Sequence, residues 1–247
     1  MNASQIPVSL QLWSVRDHIK TDFAGTVAAL AKFGYHGVET AGYGNLDAKG
    51  AAEAIQTAGL LCSGMHVSID ALRSSPHTII GDALLLGSKH VIVPYFPKAL
   101  LTTATACAAL GEELAALGRC LAAYGIQLHY HNHDFELAQI EGRTVYERIL
   151  DAAAPAHLLC QADVYWVKVG GDDPGSFLRR LGQRIRLVHL KDEKELGTGP
   201  VDFPSVFAAM DSVGGYEWQV IEVEKYNHDP LESARLSLET LKSWGRA

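Results

Sequence analysis

Apolar and polar positions along the chain repeat one phrase: an alanine- and leucine-rich stretch, a glycine, then a short apolar run. It reads as Leu30-Ala31-Lys32-Phe33-Gly34 before Gly37-Val38-Glu39, and as Ala58-Gly59 before Leu60-Leu61-Cys62. It recurs as Leu85-Leu86-Gly87 before His90-Val91-Ile92-Val93, and as Ala123-Tyr124-Gly125 before Ile126-Gln127-Leu128. A late copy has Val213-Gly214-Gly215 before Trp218-Gln219-Val220-Ile221. Glycine suits the left-handed position just past a helix C-terminus, from which a short loop returns the chain to a strand. Strands that are apolar at consecutive positions, alternating with helices, predict a parallel sheet covered on both faces. The clearest helix is predicted over 102–124, where Ala106, Leu110, Leu114, Leu117 and Leu121 form one stripe at spacings of three and four.

Strands are predicted at 8–13, 37–39, 60–66, 90–93, 126–131, 158–163, 185–190 and 218–222, each followed by a helical pattern. Eight units in 247 residues are about 31 residues each, the size of a closed (β/α)8 barrel. An open doubly wound sheet competes, but no phosphate-binding G-x-G-x-x-G or G-x-x-x-x-G-K-[ST] loop is present. No Pro/Ser-rich linker or charge block divides the chain. The expectation is therefore α/β, a single (β/α)8 TIM barrel over residues 1–247.

Composition narrows the partners. Hydrophobic content of 48% and charged content of 20% suit a globular protein. The net charge of −7, from 21 basic and 28 acidic residues, argues against a broad nucleic-acid surface. The N-terminus, Met-Asn-Ala-Ser-Gln-Ile-Pro, carries neither a basic nor an apolar leader region, and no stretch approaches the ~20 apolar residues of a membrane span. A cytoplasmic protein with no membrane partner is expected. Cys62, Cys107, Cys120 and Cys160 are scattered without a Cys-x-x-Cys pair, which predicts small buried hydrophobes in a reducing compartment.

Candidate chemistry collects where a barrel places it, at the C-terminal ends of the strands. The second strand ends in Glu39, the third in His66, and the fifth in His131 with His133 beyond. The sixth ends in Asp163, the seventh in His189 with Lys191 following, and the eighth in Glu222 with Glu224 two residues on. His129, His131 and His133 alternate, so an extended backbone would put them on one face. Taken singly, Glu39 could begin a surface loop, Asp163 could be a helix N-cap and His189 a core histidine; the set is harder to dismiss. A buried carboxylate or imidazole is costly unless it is paired, hydrogen-bonded or bound to a metal. Carboxylates and imidazoles without thiolates suit one divalent ion such as Mn²⁺, Co²⁺, Mg²⁺, Zn²⁺ or Fe²⁺. Such an ion would stabilise the negative charge of an enediolate.

These residues carry a resemblance. Tyr130-His131-Asn132-His133-Asp134-Phe135-Glu136, Gln11-Leu12-Trp13-Ser14-Val15-Arg16-Asp17, Asp163-Val164-Tyr165-Trp166, Val188-His189-Leu190-Lys191-Asp192 and Val220-Ile221-Glu222 resemble the sugar phosphate isomerase/epimerase family of xylose-isomerase-like barrels. The resemblance implies a metal held by His131, Asp163, His189 and Glu222, with His131 where many sugar epimerases carry a glutamate. That departure leaves Glu222 as the favoured base, with His131 and Lys191 beside it in catalysis. Glu39, His66 and His133 would orient substrate or support the ligands, and Trp13, Tyr165 and Trp166 would wall the pocket. The implied activity is isomerisation or epimerisation of a keto sugar, polyol or related carbohydrate through an enediolate. A lyase or dehydratase acting on an inosose or 3-keto sugar uses the same chemistry. A carbohydrate-binding barrel without turnover is the reading from another class, and an abasic-site endonuclease of this superfamily is disfavoured by charge. The sequence leaves a homo-oligomer open.

Overall fold

The eight predicted strands form, and they close on themselves. The computed structural model describes residues 6–247; the leader expectation rests on the N-terminal residues, of which 1–5 lie outside those described. The strands are β1 (Val8–Gln11), β2 (Gly37–Thr40), β3 (Leu61–His66), β4 (His90–Val93), β5 (Gln127–His131), β6 (Leu159–Asp163), β7 (Ile185–Lys191) and β8 (Trp218–Glu222). All neighbours pair in parallel, and β1 pairs with both β2 and β8, which completes a closed barrel. The surrounding helices are α1 (Arg16–Phe33), α2 (Ala48–Thr57), α3 (Ile69–Ser74), α4 (Pro76–Leu86), α5 (Ala104–Ala122), α6 (Val145–Asp151), α7 (Val164–Val169), α8 (Pro174–Leu181), α9 (Phe203–Val213) and α10 (Pro230–Ser243). Between β5 and α6 the chain makes a small antiparallel hairpin, Gln139–Ile140 against Arg143–Thr144. No helix among the described residues is long and apolar enough to cross a membrane.

The recurring glycine does what the pattern predicts. Gly34 and Gly87 cap α1 and α4 at φ +102° and +66°, a region side chains disfavour. Two expectations shift. β1 ends at Gln11 rather than at position 13, because the Gln11 side chain accepts from the Trp13 backbone N–H and starts a 3₁₀ turn at Leu12–Val15. Trp13 is thereby released from the sheet, with 45% of its surface exposed.

α5 is rotated relative to the expected stripe. Its buried face runs through Cys107, Leu110, Gly111, Leu114, Ala115, Gly118 and Leu121, leaving Ala106 and Leu117 half-buried. The cause is close backbone approach: a Cβ on Gly111 would lie 2.1 Å from the Ile149 carbonyl oxygen, and one on Gly118 would lie 1.7 Å from that of His157. Three of the cysteines are buried, Cys120 is half-buried, and all four are free.

One continuous apolar core fills the space between strands and helices. Inside the barrel a small separate apolar plug is formed by Ile92, Leu187, Trp218 and Val220. Polar side chains share that interior. Below the site, His90 Nδ1 and His129 Nε2 lie 3.0 Å apart, and His90 Nε2 is 3.2 Å from a Glu217 carboxylate oxygen. His129 thus belongs to a lower layer than His131, although the strand's two-residue period puts both on the inner face.

Candidate active site at the barrel mouth

The strand-end residues converge. One ligand atom each from His131, Asp163, His189 and Glu222 can be chosen so that all four lie within 4.8 Å of one another, and all four residues are buried. They come from β5, β6, β7 and β8, neighbouring strands in the barrel. Parallel register sets their level: His131 lies beside Gln161, Asp163 beside His189, and Glu222 beside Lys191. Asp163 does two jobs with two oxygens. Its Oδ1 accepts from the Trp166 backbone N–H and caps α7. Its Oδ2 is buried with no hydrogen-bond partner, 3.9 Å from His131 Nε2. An ionised oxygen without a partner in such a place is costly unless a cation or donor meets it. This donor set fits a divalent ion.

Electrostatics differ sharply across the group. Burial raises the Asp163 carboxyl to about 7, against the pull of Lys191. Burial also disfavours a charged Glu222, but Lys191 and His189 overcome it and hold this carboxyl well below its usual range. His189 is bracketed by carboxylates, with Nδ1 2.9 Å from Glu222 Oε2 and Nε2 2.7 Å from Glu39 Oε1. Despite its burial, the Glu39 and Glu222 charges push it up to about 10. His131 shifts the opposite way, held neutral by burial and by neighbouring cationic groups, His189 foremost.

Glu39 does not reach the mouth. It is wholly buried, and its oxygens are taken by Gln11 Nε2 at 2.7 Å, Gln161 Nε2 at 2.6 Å, His189 Nε2 at 2.7 Å and His66 Nε2 at 2.9 Å. Of its two expected roles, orienting substrate or supporting ligands, only the second matches this position. Space for its carboxylate comes from Gly64, where a Cβ would fall 2.9 Å from Glu39 Oε2.

Above this layer lies a cavity of about 370 Å³ whose walls include Trp13, His66, Tyr95, His131, His133 and Glu222. A wider cleft of about 550 Å³ beside Asp17, His18 and Leu231 holds none of the strand-end residues. His133 lies past the end of β5, yet its ring stays 5.2 Å from that of His131. Burial and Lys191 hold its pKa down, and its Nδ1 lacks a partner. Lys191 is buried, bonded at 2.5 Å to Glu224 Oε2, 3.6 Å from Glu222 Oε2, and 4.9 Å from the centre of the Trp166 ring. Trp166 in turn packs against His133 and Tyr165.

Sequence reasoning missed several participants. Gln161 accepts from or bonds to His66, His131 and Glu39; its spacing of two from Asp163 put it on the same face of β6. Gln11 adds the first strand to the ring by the same rule. Glu136 is buried, accepting from Tyr130 Oη at 2.8 Å and from the His133 backbone N–H at 2.8 Å, which anchors the loop that carries His133. Burial lifts its carboxyl to about 7. Asn132 brackets the Asp163 backbone, donating to its carbonyl and accepting from its N–H.

A family model for the xylose isomerase-like TIM barrel matches residues 27–244. The chain belongs to that family. Among curated proteins, an inosose dehydratase from Bacillus anthracis (strain CDC 684 / NRRL 3495) is 26% identical over 157 residues, covering 54% of this chain and 52% of that protein. The chain thus matches about half the length of that relative. Two solved structures share the fold. A sugar phosphate isomerase/epimerase from Parabacteroides distasonis ATCC 8503 gives a TM-score of 0.87 at 21% identity, covering 96% of each chain. The 3-keto-D-glucoside 4-epimerase YcjR from E. coli gives 0.73 at 17% identity, covering 97% of this chain and 100% of that one.

Proposed function

We propose that this member of the xylose isomerase-like family is a divalent-metal-dependent enzyme that moves a proton next to a carbonyl in a keto sugar, polyol or related carbohydrate. The observation that carries this reading is the buried, partnerless Asp163 Oδ2 among His131, His189 and Glu222. Those four residues would hold the ion, which when bound supplies Lewis acidity toward a carbonyl and an adjacent hydroxyl oxygen. Glu222 and His133 are the groups placed to take the proton. Glu222 is kept ionised by Lys191 and His189, and His133 is kept neutral, so each presents a lone pair at neutral pH. Lys191, held charged between Glu222 and Glu224, is placed to stabilise negative charge developing on a substrate oxygen. Trp13 and His66 line the cavity, whereas Tyr165 and Trp166, expected as walls, are not among its lining and Trp166 instead packs against His133 and Lys191.

A dehydratase outcome is the second reading. Its support is the inosose dehydratase relative together with His131, an uncharged side chain where a second carboxylate base would serve two-sided epimerisation. Elimination needs one base and one acid, which Glu222 or His133 with Lys191 would provide. The experiment is incubation of Mn²⁺-loaded protein with keto sugars and inososes in D₂O, read by mass shift, beside metal analysis of Asp163→Asn and Glu222→Gln. Deuterium incorporation with retained mass otherwise supports isomerisation or epimerisation, and loss of water supports the dehydratase. Unchanged metal content and activity in both variants would reject the site. Sugar binding without exchange or product would instead make the barrel a binding protein.

A further inference from the structure

The hydrogen bonds beneath the site have a direction that can be traced from a single backbone group. The Trp13 N–H can only donate, so the Gln11 oxygen that receives it at 3.0 Å must be Oε1. Gln11 therefore turns its Nε2 toward Glu39, at 2.7 Å. A carboxylate only accepts, so Gln161 must also turn its Nε2 to Glu39, at 2.6 Å. That leaves Gln161 Oε1 facing two imidazoles, His66 Nε2 at 2.9 Å and His131 Nδ1 at 3.0 Å. Both nitrogens must then carry hydrogen, and so must His189 Nε2 against Glu39 Oε1.

Resting on the reading above, we propose that Gln161 is a positioning residue that fixes the tautomer of His131 from below, leaving His131 Nε2 as the lone pair offered to the ion, while the Nε2–H of His66 is shared between Gln161 and Glu39. His131 Nε2 is the nitrogen that lies toward Asp163 Oδ2. For His66, the same bonds commit Nε2 as a donor and leave Nδ1 as the lone-pair nitrogen, which makes His66 an unsuitable ligand through Nε2. The group His66, His131 and His189, which also comes close enough to share an ion, could then use His66 only through Nδ1. The backbone is shaped around the two residues that relay this direction. The pairing register shifts between Val38 and Glu39, where β3 carries the extra residue Ser63, and between Cys160 and Gln161, where β7 carries the extra residue Arg186. Such irregularities bend the strand that carries the extra residue, here the neighbour of each relaying side chain.

The test compares wild type with Gln161→Met, which keeps length but removes both polar atoms. Long-range ¹H–¹⁵N NMR of histidine side chains, in EDTA, reads the tautomers directly. Wild type should show hydrogen on His131 Nδ1 and His66 Nε2; Gln161→Met should show mixed or exchanged tautomers for His131. Calorimetric titration with Co²⁺ should show about 10–100-fold weaker binding in the variant, the usual effect of removing a group that orients a ligand. Gln161→Asn, which keeps the amide but shortens its reach, should move the same signals and serves if Gln161→Met does not fold. Wild-type tautomers persisting in a folded variant would overturn the proposal. Failure of wild type itself to bind Co²⁺ would instead count against the metal reading, while the tautomer signals would still decide the role of Gln161.

Discussion

Replacing Asp163 by asparagine should separate stability from function. Asparagine caps a helix as well as aspartate does, so the contact to the Trp166 N–H is kept. What disappears is a negative charge at Oδ2, which is buried without a partner. In the folded chain this carboxyl is raised from 3.8 to about 7. A carboxyl raised on folding holds its proton more tightly in the native state, so its contribution to stability falls as pH rises between those two values and is level above them. A displacement of about three pH units corresponds to about 4 kcal/mol of destabilisation at pH 8. The amide that replaces it leaves buried N–H groups of its own, at about 1–3 kcal/mol. Asp163→Asn should therefore be about 1–3 kcal/mol more stable than wild type at pH 8 in EDTA, with the gain close to zero at pH 5. For a chain of this size each kcal/mol moves Tm by about 2–4 °C. Mn²⁺ should raise the Tm of wild type, because a ligand of the native state stabilises it, and should leave the variant unmoved. Thermal unfolding at the two pH values, with EDTA or Mn²⁺, measures all four conditions. A variant that melts below wild type in EDTA at pH 8, or that keeps the full Mn²⁺ increment, would refute the reasoning.

Other substitutions test neighbouring parts of the argument. Lys191→Met removes the cation that favours ionised Glu222 and Asp163; the acid limb of Mn²⁺ binding should move to higher pH, as read by calorimetry from pH 5 to 8. Gly64→Ala places a Cβ 2.7 Å from Ile92 Cδ1 and 2.9 Å from Glu39 Oε2, so denaturant titration should show a loss of about 1–3 kcal/mol with weakened metal binding. Gly118→Ala would gain helix propensity in an isolated helix, but here its Cβ meets the His157 backbone; the protein should lose stability in the same assay, with metal affinity unchanged. Thr144→Ala removes a reciprocal cap with Glu147 at the start of α6 and should cost about 0.5–2 kcal/mol, again without effect on metal binding.

The amino-acid sequence by itself determined the architecture, because a repeated helix-glycine-strand phrase is a local property and every copy folds by the same rule. It also determined which residues could meet: strand ends in a parallel barrel share one rim, so Asp163, His189 and Glu222 were legible from position alone. What only the tertiary structure decided is what each of them does there. His66 ends its strand and Glu39 lies one residue before the end of its own, yet Glu39 is sealed under four donors while His66 lines the cavity, a difference set by side-chain direction and by the absent side chain of Gly64. Neither Gln11, although it opens one of the resembling segments, nor Gln161 is a site candidate from sequence, because an amide carries no charge and their importance comes from partners on other strands. The face of α5 was misjudged for a related reason: large apolar residues mark packing in a sequence, whereas Gly111 and Gly118 pack by lacking a side chain. Local pattern encodes period and direction; pairing across strands, burial and the shared field of several charges exist only once the barrel has closed.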